Sequence, residues 1–198
     1  MIRLVALAVA AYLLGSLPSA FIVVRLARGT DVRRAESGNV GALNAFRATG
    51  SVWIGAAVLV LDVGKGILAV ALAGSGAGLG TQSLLATLAV AGHNWPLWLG
   101  GHGGKGLATA AGSLTMITPL TVPLWIVVWA LGYVSSGYIA LGTVIATALV
   151  PVALGLLAGW AYGLAALPVC LLILLRHHEK VRRLLLGAEP RHYWRGTS

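Results

Sequence analysis

Residues 52–73 read Val52-Trp53-Ile54-Gly55-Ala56-Ala57-Val58-Leu59-Val60-Leu61-Asp62-Val63-Gly64-Lys65-Gly66-Ile67-Leu68-Ala69-Val70-Ala71-Leu72-Ala73. A helix needs about 20 apolar residues to cross about 30 Å of hydrocarbon, and this run meets that length with only Asp62 and Lys65 charged. Similar runs occupy roughly 4–24, 83–99, 106–132 and 138–175. With 58% apolar residues and 10% charged, the chain is too poor in polar residues to cover a soluble core. An all-α integral membrane protein is the expected fold.

The simplest count is five spans. It leaves 138–175 too long for one crossing, and Pro119 and Pro123 interrupt 106–132, because proline removes an amide and disfavours helix at the residue before it. Splitting at Thr118-Pro119 and again near Gly155 to Gly159 gives seven, the preferred count, with 106–118 short for a full crossing. Arg25, Arg28, Arg33, Arg34 and Arg47 cluster after the first run, and Arg176, Lys180, Arg182, Arg183, Arg191 and Arg195 form a basic tail. By the positive-inside rule both regions face the cytoplasm, with the amino terminus outside and the carboxyl terminus inside under either count. No internal repeat is found, and residues 1–198 are expected to form a single polytopic domain. Arg3 and the apolar stretch to Ala20 have the look of a signal peptide, but the segments that follow are equally hydrophobic, so a first span is expected.

The net charge of +9 leaves no polar fold to carry a basic face, which excludes nucleic acid as a partner and points to anionic membrane lipid. Cys170, the sole cysteine, allows no intrachain disulfide. Asp62 and Lys65 stand at i and i+3 on one helix face. A local ion pair and a lysine facing a polar cavity are both open readings.

Two polar, glycine-rich strings interrupt the apolar chain, Ser37-Gly38-Asn39-Val40-Gly41-Ala42-Leu43-Asn44 and Gly100-Gly101-His102-Gly103-Gly104-Lys105-Gly106. Irregular backbone beside membrane spans is tolerated where it is buried in protein or lines a wet cavity, and exposed amides with a lysine suit an anion. The second string departs from the nucleotide phosphate loop, with Leu99 in place of its first glycine and Gly106 in place of serine or threonine after Lys105, so ATP is not expected. A helix beginning at Gly106 or Leu107 would still offer its amino terminus to a phosphate. In the first string, Ser37, Asn39, Asn44 and the following Arg47 supply donors, the arginine as a bidentate fork.

Metal catalysis is not expected, since Asp31, Glu36, Asp62, Glu179 and Glu189 show no ligand spacing and His177-His178 are adjacent, about 100° apart on a helix. The His-x-x-x-x-Asp acyltransferase signature is absent too, because Trp98, Leu107 and Arg182 stand five residues after His93, His102 and His177.

At these motifs the chain resembles the PlsY family of bacterial membrane acyltransferases, which make lysophosphatidic acid from glycerol 3-phosphate and an acyl phosphate. The likeness runs from Gly15-Ser16-Leu17-Pro18-Ser19-Ala20 through Asp31-Val32-Arg33, the first string, Asn44 and Arg47. It continues through Asp62-Val63-Gly64-Lys65-Gly66, Gly92-His93-Asn94-Trp95-Pro96, Gly103-Gly104-Lys105-Gly106-Leu107-Ala108-Thr109 and Arg176-His177. It implies a multi-pass enzyme of the bacterial inner membrane that needs no metal or organic cofactor and is linked functionally to the enzyme that makes acyl phosphate. Lys105, Ser37 and His177 would be catalytic. Gly38, Asn39, Gly41, Asn44, Arg47, Gly103, Gly104, Gly106, Ser135 and Ser136 would bind substrate. Leu43 stands where the family usually has threonine, Lys180 where it has asparagine, and Glu36 where it has a small residue. These differences motivate an alternative, a divergent member that binds a lipid or anion or acylates another acceptor. A small anion transporter is a further reading, without the paired interrupted helices that such proteins carry.

Overall fold

The computed structural model describes residues 1–191, so Arg195 of the basic tail lies outside the described residues. These are helical throughout their ordered elements, with no strand among them: α1 (Ile2–Ser16), α2 (Ser19–Arg28), α3 (Ala42–Thr49), α4 (Val52–Ala71), α5 (Leu79–Asn94), α6 (Leu107–Ile117), α7 (Thr121–Ser136), α8 (Ile139–Leu157), α9 (Trp160–Arg176) and α10 (His178–Leu185). Short 3-10 turns at Val32–Arg34 and Leu97–Leu99 lie in the two glycine-rich connections.

Both expected breaks are present. α6 stops at Ile117 before Pro119, and α8 gives way to α9 around Gly159, whose φ of 110° suits glycine and few other residues. Among the described residues, three helical stretches are long and apolar enough to cross a membrane, Ile2–Arg28, Val52–Ala71 and Ile139–Leu157, and a fourth if α9 and α10, bent by 59°, count as one. α6 has 11 residues and so a rise of about 16 Å, half of a crossing. Large apolar side chains such as Leu26, Val60, Leu131 and Leu164 point outward, as a lipid-facing surface requires.

The chain divides into two compact units, Met1–Ile117 and Thr118–Ser198, meeting in sequence at the Thr118-Pro119 break. In the first unit, glycines let helices touch backbone to backbone. A Cβ on Gly15 would strike the Ala89 carbonyl and one on Gly92 the Tyr12 carbonyl, which brings α1 against α5. Gly66 against Thr109 and Gly112 against Val63 do the same for α4 and α6. Small residues at crossings are the usual means of close packing where lipid removes the hydrophobic drive. Tyr12 adds a tie, its hydroxyl donating to the Trp95 carbonyl at 2.6 Å. In the second unit, Gly132 faces Gly142 between α7 and α8, and Gly163 faces the Pro151 carbonyl between α8 and α9.

One apolar cluster of the first unit, Ala20, Val24, Val32, Val40, Ala45, Val58 and Leu99, joins residues from both glycine-rich connections. Val40 belongs to the first string and Leu99 immediately precedes the second. Burial of these two side chains is what draws the polar strings to one place.

Candidate functional site

The first string is held by a single side chain. Asn44 is buried, and its Oδ1 accepts from the Ser37 amide at 3.1 Å and the Ser37 hydroxyl at 3.0 Å. Its Nδ2 donates to the carbonyls of Val32 at 3.0 Å and Ala35 at 3.3 Å. Two acceptor bonds and two donor bonds exhaust the primary amide. Asn44 is therefore committed to shaping residues 32–37. The turn it closes is tight: Glu36 has φ 50° and Gly38 φ 68°, and the Gly38 amide donates to the Ala35 carbonyl. Left-handed backbone at a non-glycine residue costs on the order of 1 kcal/mol, so Glu36 occupies a position that glycine would take without strain.

Beyond this turn, α3 begins at Ala42 after Gly41, which offers no side-chain cap. Its first intrahelical bond runs from the Ala45 amide to the Gly41 carbonyl, so the amides of Ala42 to Asn44 precede the ladder and suit an anion. Asn39 and Gly41 are half-buried at this end. Arg47, in the last turn of α3, is exposed and makes no hydrogen bond or ion pair with the described residues.

The Asp31 carboxylate caps the turn before the string, accepting from the Arg33 backbone amide and pairing with its guanidinium at 2.7 Å. That guanidinium also lies over the Phe21 ring, 5.2 Å from its centre. The hydrogen bonds from Arg33 hold the Asp31 carboxyl down to about 2 from its ordinary 3.8. A lowered pKa contributes stability that is complete above the ordinary value and is lost as pH falls through about 2. Arg33→Gln is expected to return the Asp31 titration toward 3.8, read by carboxyl-carbon NMR, and with it to remove this carboxyl's contribution to the loss of stability in acid. An unchanged titration would show that another group holds the proton off.

The second string packs on the end of α5. A Cβ on Gly103 would strike the His93 carbonyl, one on Gly104 the His93 imidazole and the Val40 carbonyl, and one on Gly106 the Asn94 side chain. The Gly104 amide donates to the His93 carbonyl at 3.1 Å. The two strings thus meet at Val40 and Gly104. Lys105 follows, half-buried, and α6 starts at Leu107 with its first bond from the Ala110 amide to the Gly106 carbonyl, which leaves the amides of Leu107 to Thr109 ahead of the ladder. Beneath Gly106, Asn94 is fully buried, and its amide finds no partner among the described residues.

Sequence reasoning left the role of Asp62 and Lys65 open, and both readings hold in the geometry. Lys65 Nζ lies 2.9 Å from Asp62 Oδ1, and Lys65 also lines a cavity of about 10 Å³, the room one water needs, with Ser16, Ser19, His93 and Gly103 among the other walls. Ser16, Ser19 and His93 were part of the family likeness but were not assigned to the site. Their only sequence signal is that they stand at helix ends beside the glycine-rich motifs.

Ser135, Ser136 and His177 belong to the second unit. Ser136 Oγ donates to the Gly132 carbonyl at 2.6 Å and accepts from the Tyr138 amide at 3.1 Å, closing the turn after α7. Ser135 is more exposed and also donates to Gly132, at 3.2 Å. His177 is buried at the bend between α9 and α10, with Nδ1 at 2.8 Å from the Ile173 carbonyl. A carbonyl only accepts, so Nδ1 carries the proton and Nε2 is the basic nitrogen of the neutral ring. Lys180 is occupied by the Glu189 carboxylate at 2.7 Å, with Arg183 on the same carboxylate at 3.2 Å.

Apolar outward faces and close small-residue crossings define a helical integral membrane protein, with two glycine-rich loops leading into helix amino termini. A family model described as glycerol-3-phosphate acyltransferase matches residues 5–187. Glycerol-3-phosphate acyltransferase 2 of Moorella thermoacetica is 40% identical over 182 residues, covering 91% of this chain and 93% of that protein. The glycerol-3-phosphate acyltransferase of Sinorhizobium fredii is 41% identical over 184 residues, covering 91% and 88%. The crystal structure of PlsY, an integral membrane glycerol 3-phosphate acyltransferase, in its glycerol 3-phosphate form superposes with a TM-score of 0.84 at 33% identity and 96% coverage of both chains. Its lysophosphatidic acid form gives 0.82 at 32% identity, covering 95% of this chain and 94% of that one. The chain belongs to the PlsY family of glycerol-3-phosphate acyltransferases.

Proposed function

We propose that this protein transfers an acyl group from acyl phosphate to the 1-hydroxyl of glycerol 3-phosphate, forming lysophosphatidic acid and inorganic phosphate. The observation that carries this reading is the meeting of the two strings at Val40 and Gly104, which sets the uncapped end of α3 and the Lys105 loop within one compact unit. Family membership, and relatives named for this activity, support the acceptor and the product. The acyl-phosphate donor is supported by the chemistry of the loops, which suit a phosphate better than the thioester of acyl-CoA.

An acyl phosphate is already an activated anhydride. The hydroxyl oxygen of glycerol 3-phosphate attacks the acyl carbon, the bond from that carbon to the phosphate oxygen breaks, and the departing phosphate takes the hydroxyl proton. The protein needs to orient two anions and stabilise developing charge. Ser37, Gly38, Asn39, Gly41 and the glycines of the second string would hold the acyl phosphate, with Lys105 neutralising it. Arg47, Ser136 and His177 would address glycerol 3-phosphate. The reading includes seven spans in a bacterial inner membrane, the amino terminus outside and both strings cytoplasmic. The arginine clusters after α1 and in the tail support that orientation.

The test is purified protein in detergent with labelled glycerol 3-phosphate and palmitoyl phosphate, beside acyl-CoA and acyl-carrier-protein donors. Lysophosphatidic acid formed with acyl phosphate alone is the expected result. Product from a thioester donor, or none from any donor with folded protein, overturns it.

A further inference from the structure

Asp62 and Lys65 sit within α4, only 2% and 5% exposed, where an ionised pair has no obvious benefit. Buried pairs are frequently no more stabilising than apolar residues of the same volume, and inside a membrane an ionisable group marks a function by default. Neither residue belongs to the anion-suited donors described above. Their contacts lead there nonetheless. Lys65 Nζ donates to the Leu17 carbonyl at 2.9 Å, in the break between α1 and α2. His93 Nδ1 lies 3.6 Å from the same Asp62 oxygen that pairs with Lys65, within electrostatic reach though too far for a strong hydrogen bond. The His93 carbonyl accepts the Gly104 amide, and its imidazole fills the space that a side chain on Gly104 would need.

We propose that Asp62, Lys65 and His93 are positioning residues that clamp the second glycine-rich string to α4, α5 and the α1–α2 break, and so fix where Lys105 stands. This rests on the acyl-phosphate reading for its kinetic consequence. The clamp itself touches no substrate. Asp62 supplies the negative centre, Lys65 spans from it to Leu17, and His93 transmits the restraint to Gly104 through both its ring and its carbonyl. The cavity of about 10 Å³ lined by Ser16, Ser19, Lys65, His93 and Gly103 lies at the junction of these segments.

The decisive variant is D62N/K65M, which removes both charges at nearly constant volume and leaves no unpaired buried ion, so it is expected to fold. His93→Asn, which removes the ring's contact with Asp62 and Gly104 but keeps the backbone bond to Gly104 and the ion pair, is the second. Hydrogen–deuterium exchange followed by mass spectrometry is expected to show peptides spanning 100–106 exchanging about tenfold faster in both variants, with α8 and α9 unchanged. In the acyltransferase assay, kcat should fall about tenfold, because Lys105 no longer stands where charge develops on the phosphate, and KM for palmitoyl phosphate should rise about threefold, while KM for glycerol 3-phosphate is unaltered. Wild-type exchange in the 100–106 peptides of either variant overturns the clamp. So does uniformly faster exchange across α1, α4, α5 and α6, which marks a merely structural pair. If the wild-type protein makes no lysophosphatidic acid, the proposed function fails, and the exchange experiment still decides the clamp.

Discussion

Lys105→Ala is expected to lower the rate of lysophosphatidic acid formation by about a thousandfold while the protein stays folded and membrane-inserted. In the proposed reaction, negative charge grows on the phosphate as the acyl carbon–oxygen bond breaks, so a fixed cation there would favour the transition state over bound substrate. Loss of one such stabilising group costs about 10²–10³ in kcat. Lys105 is half-buried and lies outside the apolar cluster that joins the two strings, so that cluster does not depend on its side chain. Initial rates at saturating acyl phosphate, with circular dichroism and gel filtration as controls, make the measurement. A variant that keeps more than about a tenth of the activity would remove Lys105 from the chemistry.

Gly104→Ala is expected to be nearly as damaging by a different route. The added methyl would meet the buried imidazole of His93 on one side and the Val40 carbonyl on the other, and neither yields cheaply. Overpacking of this sort costs about 1–3 kcal/mol, so the second string must lift from α5 and the affinity for acyl phosphate should fall about 10- to 100-fold. Gly101→Ala is the control. Gly101 has open space around it but a φ of 81°, so alanine there meets backbone strain without a collision and should be milder. Equal effects at 101 and 104 would show that loop flexibility, and not the meeting with Val40 and His93, sets the site.

The helices and their breaks were legible because run length and proline act locally. Thr118-Pro119 separates α6 from α7 and Gly159 separates α8 from α9, whereas Pro123, expected to interrupt the same run, is taken into the first turn of α7, and Pro151 and Pro168 lie inside α8 and α9. The span count was less so, since α5, α6 and α7 are short and hydropathy does not fix how a short helix lies. At the site, helix geometry allowed the i, i+3 pairing of Asp62 with Lys65 as one of two readings, whereas His93 reaches Asp62 from a different helix and carries no local mark. Asn44 and the glycines of the second string were read as phosphate donors. In the structure the Asn44 amide is committed to a turn, and Gly103, Gly104 and Gly106 also permit the close approach of their string to α5, a use separate from the phosphate binding proposed for them. Glycine serves bare amides and bare packing surfaces equally, and sequence does not separate the two uses. Lys180, whose charge motivated the alternative of another acceptor, is balanced by Glu189 in the tail.

The four hydrogen bonds spent by Asn44 have a thermodynamic meaning for the ligand. Ordering a backbone residue costs about 1–2 kcal/mol of conformational entropy, and for residues 32–37 that loss is incurred once, when the chain folds. Under the proposed function, an anion arriving at the start of α3 would meet donors already in register, and its binding free energy would not be consumed in arranging them. A phosphate held by few contacts can therefore bind usefully and still leave as product.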